Sequence, residues 1–474
     1  MKCALVGKSI GYSYSKEIHE AMGLYGYDLC SVALEDLDAF VAPRLRGKAA
    51  PARGKAANAE AAEEPVQYTG LNVTIPYKKI IMPLLDEVDE LATAIGAVNT
   101  VYRRDGKLIG TNTDLYGFLY MLQEAGISLR GKKVLILGSG GACAMVRYAC
   151  LKEEAASITI ATRDAFKAES PCHSHAYCLY DALPQDTQIL INSTPVGTYP
   201  DVDACPVDLS DPAVLPELEG VADLIYNPAK TTLLLAAQER GIPCTGGLTM
   251  LVAQAVAAKE RFLEDADPDS TTNDAGNATD DAGSISGDAG CNPNTAAPED
   301  SAALIRDLVK KTAHSKRNIV LIGMPGSGKS SLGRDIAKRL GMTFRDSDRI
   351  ITERTGRQPG EIIEQDGEPA FRAIESDVLA DLAKEHGQVI ATGGGVVERE
   401  ENMRALAHNG YFILLTKKLH RLATKGRPLS KDPAKLTAMY KRRRPLYEKW
   451  ADLTVNNDRY YKDTRAFILR ELEK

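Results

Sequence analysis

The chain has 474 residues, 44% hydrophobic and 26% charged, which at about 100–200 residues per domain suggests roughly three folding units of a globular protein. Its 58 Lys and Arg against 64 Asp and Glu leave a net charge of −6, with no basic excess to draw the chain onto nucleic acid or an anionic membrane. No stretch approaches the ~18 uninterrupted apolar residues of a membrane span, and the 9 cysteines, scattered and without a C-x-x-C pair, read as those of a reduced, cytoplasmic chain.

The opening, Met1-Lys2-Cys3-Ala4-Leu5-Val6-Gly7, is strand-like and too short for a signal peptide. Residues 44–65, rich in Ala, Lys, Arg and Glu, interrupt patterned sequence and are expected as a surface insertion, partly helical or disordered. Short apolar runs then alternate with helix-period segments: 134–137, 157–160, 189–191 and 223–226 in the first half, 319–322, 389–391 and 411–415 in the second. That alternation predicts an α/β fold with parallel sheets. Gly138-Ser139-Gly140-Gly141-Ala142 closes the 134–137 strand and opens a helix, the arrangement that cradles a dinucleotide, although Cys143 stands where a small residue should complete the fingerprint. Cys172-His173-Ser174-His175 with Cys178 is dense enough in soft ligands for zinc but lacks a matching second half, so a surface loop is the competing reading.

Residues 263–305 contain no Lys or Arg and consist mostly of Asp, Asn, Ala, Gly, Ser and Thr. Such a stretch cannot offset its chain entropy, so 263–315 is expected to be a mostly disordered acidic linker between independent halves. A flexible link of ~43 residues would span roughly 35–40 Å and would permit local transfer of a small molecule between them. Beyond it, Gly323-Met324-Pro325-Gly326-Ser327-Gly328-Lys329-Ser330 matches G-x-x-x-x-G-K-[ST] in full, after a strand at 318–322 and before a helix at 331–340. Backbone N–H groups around Gly326, Ser327, Gly328 and Ser331 would converge on nucleotide phosphates, Lys329 would reach the β/γ-phosphates, and the Ser330 hydroxyl suits Mg²⁺.

Downstream of that loop stand Phe344-Arg345-Asp346-Ser347-Asp348, Gly367-Glu368-Pro369-Ala370-Phe371-Arg372, Ala391-Thr392-Gly393-Gly394-Gly395, Gly426-Arg427-Pro428-Leu429 and Arg443-Arg444-Pro445-Leu446-Tyr447. This ordered set, spread over 316–474, closely resembles shikimate kinase. The resemblance implies a P-loop kinase domain with a parallel sheet that transfers phosphate from ATP to shikimate. Asp346 would help Ser330 organise Mg²⁺, and Asp348 would hold and deprotonate the acceptor hydroxyl. Arg372 and Arg443 would grip the substrate carboxylate, with Arg444 the alternative to Arg443 as the inward residue. Gly394 and Gly395 would add backbone N–H groups, and Arg427 would close over ATP and stabilise charge on the transferring group. The residue chemistry agrees, since a small anionic alcohol needs bidentate arginines at its carboxylate and an aspartate at its hydroxyl.

The first half carries Gly11-Tyr12-Ser13-Tyr14-Ser15-Lys16-Glu17-Ile18-His19, Asn72-Val73-Thr74-Ile75-Pro76-Tyr77-Lys78, Gly96-Ala97-Val98-Asn99-Thr100 and Asn112-Thr113-Asp114. After the glycine turn come Ile191-Asn192-Ser193-Thr194-Pro195-Val196-Gly197, Asp223-Leu224-Ile225-Tyr226-Asn227-Pro228 and Gly247-Leu248-Thr249-Met250-Leu251-Val252-Ala253-Gln254. Over residues 1–262 this resembles shikimate dehydrogenase. The resemblance implies an α/β substrate domain at 1–115, to which 245–262 return, and a Rossmann domain at 116–244. Reduction of a ketone needs a proton donor at the carbonyl oxygen, and Lys78 paired with Asp114 provides one. Ser13, Ser15 and Tyr226 would bind the substrate carboxylate, and Thr74, Asn99 and Gln254 the ring hydroxyls. Gly138, Gly140, Gly141 and Ala142 would hold the dinucleotide, with Gly247 and Met250 at its nicotinamide end. His19 is read as a helix residue rather than a catalyst.

Two positions depart from that family's pattern. Lys16 replaces the usual proline of the serine motif, leaving both hydroxyls. Ala161-Thr162-Arg163-Asp164 replaces Asn-Arg-Thr; Arg163, with Thr162 beside it and Lys167 one turn on, suits the 2′-phosphate of NADP, whereas Asp164 is of the type that prefers the free ribose of NAD. NADP is favoured, with NAD left open. The two halves together imply reduction of 3-dehydroshikimate to shikimate and then its phosphorylation. The competing readings are an NAD-dependent quinate/shikimate dehydrogenase fused to the kinase, and a ligand-sensing module without turnover, against which the Lys78/Asp114 and Lys329/Asp348 pairs argue. Neither nucleic acid nor membrane is expected as a partner, and the oligomeric state stays open.

Overall fold

The computed structural model describes residues 1–11, 13–45, 67–164, 174–264, 299–422, 433–458 and 461–473. They fall into two compact units, one of Met1–Val196, Pro206–Tyr226 and Ala236–Thr312, the other of Gly197–Cys205, Asn227–Leu235 and Ala313–Lys474.

The first unit contains two six-stranded sheets. In the first, β1 (Lys2–Gly7), β2 (Gly26–Ser31), β3 (Gly70–Val73), β4 (Glu87–Val88), β5 (Thr100–Arg104) and β6 (Lys107–Thr111) run in the order β2-β1-β3-β5-β6-β4. This sheet is mixed rather than wholly parallel, because β5 pairs antiparallel with both β3 and β6. The β5–β6 hairpin turns through Asp105-Gly106, both left-handed at φ 52° and 76°, the geometry that matches strand twist. Residues 46–66, most of the expected insertion, lie outside the described residues. The chain leaves that stretch where it entered, since Tyr68 N donates to Arg44 O at 2.8 Å and Gln67 Nε2 to Pro43 O at 3.0 Å.

The second sheet orders β7 (Lys133–Leu137), β8 (Ser157–Thr162), β9 (Ala176–Leu179), β10 (Ile189–Asn192), β11 (Gly220–Asp223) and β12 (Cys244–Gly246) as β12-β11-β10-β7-β8-β9, all parallel. The order reverses between β7 and β10, which opens a crevice at their carboxyl ends. The apolar run expected as a strand at 223–226 is displaced: the strand is Gly220–Asp223, and Asp223 ends it by accepting from Asn192 Nδ2 and Ile225 N at 3.0 Å each. Cys143, off-pattern in the glycine fingerprint, is buried in the core with Val134, Ile136 and Val146, so its extra atom faces protein.

The helix Leu248–Leu263 packs against Asp114–Glu124 closely enough that a Cβ on Gly117 would meet Met250 O at 2.5 Å. Its far end lies over the first sheet, with the Phe262 ring where a Gly70 Cβ would be. The structure departs most from the sequence expectation just beyond. Within the stretch expected as linker, Glu299–Lys316 is a helix, and through Thr312 it belongs to the first unit. Ile305 and Leu308 are buried with Tyr120, Val252 and Val256, and Ser301 Oγ donates to Glu260 Oε1 at 3.1 Å. Its polar opening hides an amphipathic face, and that face supplies the burial that holds the helix in place. The acidic stretch 265–298 therefore begins and ends in the first unit. Its own residues lie outside those described.

In the second unit, β13 (Asn318–Ile322), β14 (Thr343–Asp346), β15 (Gln388–Ala391), β16 (Gly410–Thr416) and β17 (Leu453–Asn456) form a parallel sheet ordered β14-β15-β13-β16-β17. The order reverses at β13, from whose carboxyl end the phosphate-loop motif leaves. The following helix is Lys329–Leu340, starting two residues before the expected 331 because Gly328, at φ 105°, turns the chain into it. No helix among the described residues is long and apolar enough to cross a membrane.

Candidate active sites

In the first unit, Lys78 follows β3 and Asp114 begins the helix Asp114–Glu124. Lys78 Nζ lies 2.5 Å from Asp114 Oδ2, with both side chains partly buried. The carboxylate's other oxygen accepts from Asn99 Nδ2 at 2.8 Å. Asn99 is itself fixed: its Oδ1 accepts from Thr113 N at 2.7 Å, and its amide lies 3.0 Å from Thr113 Oγ1 and 3.5 Å from Gln254 Oε1. Gln254 donates to Leu251 O at 2.8 Å. Thr74, the residue after β3, donates its N–H to Val6 O at 2.9 Å, and no side-chain hydrogen bond joins it to this set among the described residues. This is a nearly complete buried polar network, the kind that holds side chains in one geometry.

Ser13, Ser15 and Tyr226 also meet. Ser13 Oγ donates to Ser15 Oγ at 3.0 Å and accepts from Ser15 N at 3.2 Å. Burial raises the Tyr226 phenol above its usual range, and a hydrogen bond with Ser13 acts the other way. Its ring centroid is 5.1 Å from that of Tyr14. His19 is fully buried, stacked on Tyr27 at 4.0 Å with Nδ1 2.8 Å from Tyr25 OH. Burial lowers its pKa to about 3, so it is a neutral packing residue.

At the crevice, Gly138 is left-handed at φ 90°, and a Cβ there would meet Thr194 Cγ2 at 2.6 Å. By contrast, a Cβ on Gly140 or Gly141 would meet nothing within 4 Å. Those two glycines and Ala142 open the helix Gly141–Lys152, whose N-terminal end suits an anion. Thr162, buried at the end of β8, accepts from Asp164 N at 3.1 Å and lies 3.4 Å from Ser139 Oγ. Arg163 and Asp164 are both exposed, and Lys167 lies outside the described residues. Tyr180, which the motifs do not single out, stands close enough to Arg163 to feel its charge. Gly247 is needed for approach, since a Cβ would meet Leu224 O at 2.1 Å, and Met250 packs against the core of the second sheet. Cys172 and His173 lie outside the described residues, among which no group of three metal-ligating side chains occurs.

The second unit holds a cavity of about 820 Å³. It is lined by Gly326, Gly328, Lys329, Ser330 and Ser331 of the phosphate loop and its helix, by Asp346 and Asp348, and by Arg372, Gly394, Gly395 and Arg443. Lys329 Nζ donates to Gly323 O at 2.7 Å and Met324 O at 3.1 Å, and the fully buried Ser327 Oγ has no hydrogen-bond partner among the described residues. Asn457 Nδ2 holds Ser327 O at 2.6 Å, bracing the loop from β17. Asp346 caps the helix Ser347–Thr355, which carries Asp348 in its first turn.

The glycine run is a packing requirement as well as a turn. A Cβ on Gly393 would lie 2.5 Å from Glu375 Oε1 and 3.2 Å from Asp348 Oδ1, one on Gly394 2.5 Å from Pro325 Cδ, and one on Gly395 2.2 Å from Arg372 Nη2. Tyr447 OH donates to Gly394 O. Arg372 is held by Glu375 at 2.6 Å and Glu368 at 2.8 Å. Burial raises the Glu375 carboxyl above the usual range, with Arg372 opposing and Asp348 adding to the rise. Of the adjacent arginines, Arg443 is the inward one, its side chain 4% exposed, whereas Arg444 is 58% exposed and paired with Glu448. Arg427 lies outside the described residues. Glu375, three residues after Arg372 on one helix, was findable from i,i+3 spacing. Glu398 and Asn457, whose partners are 45 and 130 residues away, left no local signal.

Comparison with known proteins matches residues 325–472 to the shikimate kinase family and residues 5–101 to the shikimate dehydrogenase substrate binding domain. Shikimate dehydrogenase (NADP(+)) of Caldicellulosiruptor bescii is 35% identical over 269 residues, covering 54% of this chain and 88% of that protein. The Shouchella clausii protein of the same name is 35% identical over 272 residues, 54% of this chain and 91% of its own. Among solved structures, a chorismate mutase/shikimate 5-dehydrogenase fusion protein from Clostridium acetobutylicum is 33% identical, with a TM-score of 0.48 over 55% of this chain and 90% of that one. Fold and sites thus define a two-enzyme α/β chain, an oxidoreductase with a dinucleotide crevice joined to a P-loop phosphotransferase. More particularly, the chain belongs to the shikimate dehydrogenase family and carries a shikimate kinase domain in the same polypeptide, which makes it a bifunctional shikimate-pathway enzyme.

Proposed function

We propose that the chain reduces 3-dehydroshikimate to shikimate with NADPH and then phosphorylates shikimate at its 3-hydroxyl with ATP. The observation that carries this reading is the presence in one chain of a Lys78–Asp114 contact at 2.5 Å in the unit that holds the dinucleotide crevice, and of a cavity lined by both a phosphate loop and two arginines, Arg443 buried and Arg372 partly so. In the first site, Lys78 donates its ammonium proton to the carbonyl oxygen, and Asp114 orients that ammonium and takes a ring hydroxyl. Ser13, Ser15 and Tyr226 bind the carboxylate, while Thr74, Asn99 and Gln254 distinguish the hydroxyls. NADPH, when bound, supplies the hydride. The open backbone at Gly140 and Gly141 fits its pyrophosphate and the exposed Arg163 its 2′-phosphate, with Met250 and Gly247 at the nicotinamide.

In the second site, Arg372 and Arg443 fix the acid, and Asp348 accepts the proton of the attacking hydroxyl. Lys329 and the loop N–H groups hold the transferring phosphate, a role that the resemblance extends to Arg427, which lies outside the described residues. The Ser330 hydroxyl and Asp346 carboxylate are hard oxygen donors of the kind Mg²⁺ takes, and Mg²⁺ there would neutralise phosphate charge.

Incubation with 3-dehydroshikimate, NADPH, ATP and Mg²⁺, followed by mass spectrometry, is expected to give shikimate 3-phosphate. Accumulation of shikimate would overturn the kinase reading, and absence of reduction the dehydrogenase reading. Replacing NADPH by NADH is expected to lower kcat/KM at least ~10-fold, as loss of a charge-assisted phosphate contact would. Equal rates would reassign the cofactor to NAD through Asp164.

A further inference from the structure

Arg443 lines the kinase cavity, yet the carboxylate that fixes it does not. Glu398 ends the short 3-10 turn Val396–Glu398 that directly follows Gly395, and it is absent from the described residues lining the cavity. Its Oε2 accepts from Arg443 Nε at 2.8 Å and from Nη2 at 2.5 Å, so one carboxylate oxygen holds one whole edge of the guanidinium. Its Oε1 accepts from Arg442 Nε at 2.7 Å, and Arg442 is 65% exposed. Glu398 is thus clamped between an outward arginine and an inward one on consecutive positions of one helix. The other partners of Arg443 are neutral: Nη1 lies 3.0 Å from Met439 Sδ, a weak acceptor that itself lines the cavity, and the Tyr447 hydroxyl hydrogen-bonds with the guanidinium, which leaves Glu398 as the charged partner on its Nε–Nη2 edge. Arg372 comes within 3.8 Å of the same Glu398 oxygen.

A guanidinium has five N–H donors in a rigid plane, so fixing the Nε–Nη2 edge fixes the direction of the others. We propose that Glu398 is a positioning residue of the kinase half, holding Arg443 from behind the cavity wall so that its Nη1 side is presented to the substrate carboxylate. The proposal rests on the reading that Arg443 binds that carboxylate. Burial alone would raise the Glu398 carboxyl, but Arg443 and then Arg442 outweigh it and hold it below the usual carboxylate range. Glu398 therefore stays charged across the neutral range. A buried arginine left without this partner would turn to another acceptor or draw in water, and its fork would no longer be preorganised for a planar anion.

A residue that served folding alone would change stability or all kinetic constants together. Positioning through Arg443 predicts a split. In the full chain, Glu398→Ala is expected to raise KM for shikimate about tenfold, with KM for ATP and kcat within about threefold, in line with loss of a charge-assisted contact to a side chain that binds rather than reacts. Glu398→Gln keeps the shape and an acceptor oxygen and guards against misfolding; it is expected to fall between Ala and wild type. Arg443→Ala should raise the same KM further, and Glu398→Ala/Arg443→Ala should be no worse than Arg443→Ala, because Glu398 acts through that arginine. With the carboxamide analogue of shikimate, Glu398→Ala and wild type should have equal KM. If Arg443→Ala raises KM for shikimate while Glu398→Ala and Glu398→Gln leave it within twofold, the positioning role is overturned and the assignment of Arg443 stands. If Arg443→Ala leaves it unchanged, that assignment falls first. Additive effects in the double variant would also overturn the proposal.

Discussion

Among single residues, the glycines after β15 show how a backbone position can be read as a ligand contact at one remove. Gly394 and Gly395 look alike in sequence, but the atoms that an added Cβ would strike differ in kind. At Gly395 the obstacle is the Arg372 guanidinium at 2.2 Å, the free end of a long side chain. At Gly394 it is the Pro325 ring at 2.5 Å and its backbone N at 2.9 Å, part of the phosphate loop itself. Gly395→Ala should therefore push Arg372 off the acid and raise KM for shikimate by about tenfold, with melting temperature shifted by less than about 2 °C. Gly394→Ala should displace the phosphate loop and raise KM for ATP instead. Steady-state kinetics with each substrate varied in turn checks both, and effects confined to the same substrate would contradict the geometry. The sequence reading reached Gly394 and Gly395 only through family resemblance, because three glycines in a row carry no local sign of what faces them. Lys329 was legible because it stands in a phosphate-loop motif whose spacing meets a chemical need, whereas Asn99 and Asp348 were named through the resemblance and Lys78 with Asp114 through the resemblance together with the need for a proton donor. Glu398 was not, since its role depends on an arginine 45 positions away.

At the scale of elements, composition marked 263–315 as a mostly disordered linker, but its last part, Glu299–Lys316, is a helix that buries Ile305 and Leu308 in the first unit, because an amphipathic face lies behind its polar opening. Residues 265–298 lie outside those described. On either side of residues 46–66, likewise outside those described, Arg44 and Tyr68 are joined, Tyr68 N donating to Arg44 O at 2.8 Å. Shortening 267–296 to a Gly/Ser turn is thus expected to leave both activities within about twofold and to change stability little, since each halving of a loop is worth only about 0.6 kcal/mol. Ser301 and Glu260, hydrogen-bonded at 3.1 Å, show that the ends are close enough to rejoin. Ile305→Ala with Leu308→Ala should behave oppositely, costing the first unit about 2–5 kcal/mol per side chain and shortening the half-life of dehydrogenase activity on heating. A loop deletion that damaged reduction while the double variant did not would reverse this assignment of the helix.

For the whole molecule, the decisive fact is that each proposed site draws its described residues from one unit. Ser13 through Gln254 of the reductive site fall in the first, and Gly326 through Arg443 of the phosphotransfer site in the second. Neither site borrows a described side chain from the other unit. Two active sites of this kind should be separable by single substitutions and should communicate through free shikimate. Lys78→Ala should cost reduction at least ~100-fold, the usual loss on removing a positioned acid, while phosphorylation of added shikimate stays within about twofold. Asp348→Asn should do the reverse. An equimolar mixture of these two variants then contains each activity on a different chain. Supplied with 3-dehydroshikimate, NADPH, ATP and Mg²⁺, it should form shikimate 3-phosphate after the same lag as wild type at matched activity, and labelled shikimate in the medium should be diluted into product equally in both. A shorter lag in the wild type, with label excluded, would show direct transfer along a single chain and would require a route that the residues described here do not provide.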